Sequence, residues 1–92
     1  MNIDLLIKMT NEISQFFASE DEDPEQAARD VASHLKRYWD PRMRTQIITY
    51  YEQRQSMGQN GGLGDLAWNA IGLLAAENKA KAAAPDPHPP RL

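Results

Sequence analysis

The sequence predicts an all-α fold, a small helical bundle of three core helices plus a fourth C-terminal helix and a disordered Pro-rich tail. Three observations carry that prediction. Apolar residues recur at spacings of three and four along four separate segments, while no segment of useful length alternates with the period of two that a half-buried strand needs. Two Asp-Pro pairs, Asp23-Pro24 and Asp40-Pro41, each supply an N-cap followed by proline at the first helical position. A cluster of four glycines within residues 58–64 separates the third segment from the fourth.

In residues 3–17 the apolar stripe consists of Leu6, Met9, Ile13 and Phe16, with Phe17 beside the last, and Asn2 or Asp4 is placed to cap its start. The acidic run "SEDEDPEQ" then breaks the pattern. Glu20, Asp21, Glu22 and Asp23 repel one another and read as a solvated linker. The second helix opens at Asp23-Pro24 and sets Ala27 or Ala28, Val31, Leu35 and Tyr38 on its apolar side. Glu25 in its first turn and Lys36 and Arg37 in its last complement the helix dipole.

A residue before proline disfavours the helical region, so the second helix stops at the Trp39-Asp40-Pro41 step and the third begins with Asp40 as its cap. A tight corner results. The third helix runs through Met43, Ile47, Tyr50 or Tyr51 and Arg54, and "MGQNGGLG" ends it. Asp65 caps the fourth, with Leu66, Ala67, Ala70, Ile71 and Leu74 on one side and Lys79 and Lys81 near its end. The expected organisation is a three-helix core over 1–57, a flexible Gly-rich hinge over 58–64, a C-terminal helix over 65–82 and a flexible tail over 83–92. The tail has four prolines in its last eight residues. Its alanine content leaves the fourth helix open to packing on a partner instead of on the core.

Composition narrows the function. A formal charge of -3 argues against a general nucleic-acid binder, which needs a basic face to displace counterions from phosphate. Without cysteine the chain holds no disulfide, iron–sulfur cluster or thiolate zinc site. The N-terminus lacks a basic region followed by an apolar stretch, and no window reaches the roughly 20 apolar residues of a membrane span, so a cytoplasmic protein without a membrane role is expected. A domain this short buries only about 60–70% of its unfolded surface. Dependence on a partner follows as an expectation.

Catalytic constellations are missing from the sequence. His34 and His88 lie far apart, and His88 sits in the proline-rich tail, where nothing orients it as a base or ligand. Asp4, Glu12, Asp30 and Asp40 are scattered over different helical faces, and the acidic run lacks the alternating oxygen ligands and glycine of a calcium loop. "GGLG" precedes a helix, yet no strand leads into it and no Gly-Lys-Ser/Thr follows. No catalytic, cofactor-binding or metal-ligating residue is therefore assigned. What remains is "HLKRYWDPRMR", residues 34–44, where Lys36, Arg37, Arg42 and Arg44 flank the corner with only Asp40 to offset them. Two readings stay open: an ordinary charge pattern with Trp39 capping the small core, or a docking corner of aromatic area and guanidinium forks.

The stretches "MNIDLLIKMTNEISQFFAS", "DVASHLKRYWDPRMRTQIITY" and "LGDLAWNAI", about residues 2–74, resemble the small delta subunit of NAD-dependent, molybdenum- or tungsten-containing formate dehydrogenases. The likeness is strongest at 34–44. In that family a large alpha subunit oxidises formate to carbon dioxide at a metal–pterin centre, electrons pass along iron–sulfur clusters, and FMN and NAD sit in the beta subunit. The resemblance implies a non-catalytic subunit that carries none of these groups, binds the large alpha subunit and supports its assembly, stability or activity. Carried over to this chain, it implies partner contacts at His34, Arg37, Tyr38, Trp39, Arg42 and Arg44, with Pro41 setting the corner. The alternative is a transient maturation chaperone for the same large subunit, not retained in the mature enzyme.

Overall fold

The computed structural model describes the backbone of residues 2–83 and the side chains of residues 2–78. Four helices follow one another: α1 (Ile3–Glu20), α2 (Pro24–Tyr38), α3 (Pro41–Ser56) and α4 (Asp65–Ala83). The expected tail lies outside the described residues, apart from Ala83 at the end of α4. Each of the first three helices starts where a side-chain oxygen replaces a missing backbone partner. Asn2 accepts from the Asp4 amide at 2.9 Å, Asp23 from the Glu25 amide at 3.0 Å and Asp40 from the Met43 amide at 3.0 Å. Pro24 and Pro41 then occupy first-turn positions whose amides need no partner.

The core gathers Leu6 from α1, Val31 and Leu35 from α2, Ile47 and Ile48 from α3, and Ala70, Ile71 and Leu74 from α4. All four helices enclose it. The most extensive helix pair is α2 with α4, and both supply small buried residues, Ala27, Ala28 and Ala32 on one and Ala67, Ala70 and Ala75 on the other. Small side chains let two helix axes approach closely. The fourth helix thus closes the bundle, packing on the chain's own core.

Two positions depart from the periodic reading. On α1 the buried phase runs through Leu6, Thr10 and Ser14, so Phe16 falls outside and is 58% exposed while Phe17 packs against the core. The two buried hydroxyls are satisfied within the helix: Thr10 donates to the Leu6 carbonyl at 2.7 Å and Ser14 to the Thr10 carbonyl at 2.8 Å. At the end of α2, Tyr38 is 67% exposed and Trp39 is buried. The cause is local, because Trp39 leaves the helix with extended backbone (φ -89°, ψ 139°), which turns its side chain inward where helical geometry favours Tyr38.

The 58–64 segment has the glycine geometry its sequence calls for, with Gly58, Gly61 and Gly62 all at positive φ. It is also fastened to two helices. The Tyr50 hydroxyl donates to the Gly61 carbonyl at 2.5 Å, and the Asn11 amide both donates to the Gly62 carbonyl and accepts from the Gly64 amide, each at 2.9 Å. Leu63 is buried between these points.

Candidate docking corner

Residues 34–44 join the last turn of α2 to the first turn of α3. The Trp39 amide bonds to the Leu35 carbonyl at 3.0 Å and the Arg44 amide to the Asp40 carbonyl at 3.1 Å, so the turn between them is fixed from both sides. Arg44 reaches back across it: its guanidinium donates to the Lys36 carbonyl at 3.3 Å, one of the carbonyls a helix end leaves without a partner. Its Nε is buried without a hydrogen bond. Lys36 in turn forms an ion pair with Glu77 of α4.

These contacts divide the basic residues into two groups. Lys36 and Arg44, with Pro41, Ile48, Leu74 and Glu77, line a cleft of about 180 Å³, where Lys36 ties the corner to α4 and Arg44 ties α3 to the end of α2. Arg37 and Arg42 are exposed and have no ion pair among the described residues. Pro41 is exposed beside them. Tyr38 stands in the solvent, and the half-buried His34 ring lies 4.7 Å from it and 5.9 Å from Phe17.

Of the seven residues expected to meet a partner, Arg37, Tyr38, Pro41 and Arg42 present free surface and His34 and Arg44 present part of theirs. Trp39 does not. At 6% exposure its ring area is already removed from water and belongs to the hydrophobic core, the placement expected of a Trp39 that caps the small core. The sequence reading missed Phe16. The signal was present in "FF", since adjacent helical residues stand about 100° apart and a small core admits only one of the two rings.

Carboxylates gather beside this surface, where α1 passes into α2. The Asp21 carboxyl is raised above its ordinary range, first by a hydrogen bond with the Asp30 carboxyl, then by loss of water and by the neighbouring charges of Asp30, Glu20 and Asp23. Among the described residues no group of three His, Cys, Asp or Glu is placed to hold a metal ion. No described helix is long and apolar enough to cross a membrane. The geometry offers recognition: rings, guanidinium groups and a fixed turn.

Comparison with known proteins agrees with the resemblance read from the sequence. A search among curated proteins gives no significant match, and a search among solved structures gives none. The family described as NADH-dependent formate dehydrogenase delta subunit FdsD matches over residues 5–71, a span that includes most of α1, all of α2, the corner and α3, and the first turns of α4. With most of its length and the whole corner inside that match, this chain belongs to the FdsD family of formate dehydrogenase delta subunits.

Proposed function

We propose that the chain is a non-catalytic accessory subunit that binds the large alpha subunit of an NAD-dependent formate dehydrogenase and supports its assembly, stability or activity. The complex also holds the beta subunit. Formate oxidation takes place on a molybdenum or tungsten pterin in the large subunit, with iron–sulfur clusters, FMN and NAD completing the path in the partner subunits. Family membership supports the enzyme context. The observation that carries the docking role is the exposed Tyr38 with Arg37 before it and Arg42 just past the turn, an exposed aromatic and two exposed guanidinium groups without an ion pair among the described residues. Residues of these types contribute heavily where proteins meet.

Binding through this corner stabilises the assembled state by mass action, since the subunit has affinity for that arrangement and none for the separated large subunit in other conformations. Removing this chain from the cell that makes the enzyme tests the reading. Formate-dependent NAD reduction and the metal–pterin content of the large subunit should both fall, and re-expressing this chain should restore them. Full activity and full metal content without it would overturn the accessory role.

A further inference from the structure

We infer that the docking surface extends from the corner onto α1 as an aromatic stripe, Tyr38, His34, Phe17 and Phe16, which receives an apolar segment of the large subunit carrying an acidic group opposite Arg37. This rests on the accessory-subunit reading. The four rings form an unbroken series: Tyr38 to His34 at 4.7 Å, His34 to Phe17 at 5.9 Å and Phe17 to Phe16 at 5.2 Å. Its two ends are the most exposed large apolar side chains of the described residues, Tyr38 at 67% and Phe16 at 58%. Its middle is a depression of about 270 Å³ lined by Phe17, Asp30, Ser33, His34, Arg37 and Tyr38.

The charges around the stripe define the occupant. Arg37 stands on one rim of the depression without an ion pair among the described residues, so a partner carboxylate finds an uncommitted guanidinium there. Asp30, about two turns earlier on α2, also lines the depression, with Asp21 of the α1–α2 link against it, which favours a basic group on the partner at that end. A bare apolar surface would bind many partners, whereas a stripe with an acidic and a basic group at separate points along α2 fixes one orientation. The edge-to-face arrangement of Phe16, Phe17 and His34 keeps the rings ordered before binding, which lowers the entropy lost on docking.

The test uses the full chain, tagged and expressed in cells that lack the untagged copy, with the dissociation constant of the recovered complex measured by dilution in mass photometry. Phe16→Ala and Tyr38→Ala should each weaken binding about tenfold, and Arg37→Glu should do the same while flattening the salt dependence. Leu73→Ala and Met57→Ala, exposed apolar residues outside the stripe, should bind like wild type. Phe16→Asn serves beside Phe16→Ala, with circular dichroism confirming that each variant keeps its helices. Wild-type affinity in well-folded Phe16 and Tyr38 variants would overturn the inference and leave the subunit reading standing. Failure of the wild-type chain to recover any large subunit would overturn both. If the isolated chain dimerises and Phe16→Ala abolishes that dimer, the occupant is a second copy and the inference is wrong.

Discussion

Trp39 fills the region where α2 ends, and its removal leaves a cavity that the neighbouring Leu35 and Ile48 cannot fill by small shifts in a close-packed interior. Trp39→Ala is therefore expected to cost about 3–5 kcal/mol of folding stability. Against a total of about 5–15 kcal/mol for a native domain, that is a large fraction. Urea denaturation monitored by circular dichroism checks it: a midpoint close to wild type would show that the ring is not a core element. The same residue shows what the sequence left open. Helical period alone assigns Tyr38 to the interior, and the extended backbone with which Trp39 leaves α2 reverses the two side chains. Thr10 and Ser14 illustrate a second limit, since their hydroxyls bond to their own helix and so enter a core that a hydropathy pattern reserves for apolar residues.

Helices were easier to read than the contacts between them. Both Asp-Pro starts and the Asn2 cap are local signals, completed by atoms two or three residues away, and they appear in the structure where the sequence places them. The loop before α4 depends on long-range partners instead. Asn11 lies 51 and 53 residues from the glycines it bonds, a pairing that no local pattern announces. Asn11→Ala removes both bonds and is expected to destabilise the protein by about 1 kcal/mol, a modest cost because Gly62 and Gly64 are exposed and water can take the place of the lost amide. Hydrogen exchange should then quicken across residues 58–66 and change little in α2. Unchanged protection of that loop would mean that Leu63 and the Tyr50 bond hold it without Asn11. The corner stood out in the sequence because its residue types are uncommon together, yet its extension onto α1 did not, since Phe17 and His34 meet only after α1 and α2 pack.

As a whole, the described residues form four helices around a thin core, and the fold class followed from periodicity because each helix supplies apolar residues to it at helical spacings. Packing of α4 was less legible, for its alanines suit a partner's surface as well as they suit α2. The finished bundle spends Lys36 and Arg44 on its own bracing and leaves Phe16, Tyr38, Arg37 and Arg42 outward, a division set by tertiary contacts. Under the proposed function such a body acts by being held in place, and retention in the mature enzyme is the property that separates a subunit from a passing chaperone. Native mass spectrometry of the active formate dehydrogenase, purified through a tag on its beta subunit, measures this directly. One copy of this chain for each large subunit is expected; an active enzyme that contains both partners and no copy of this chain would contradict the role of a retained subunit.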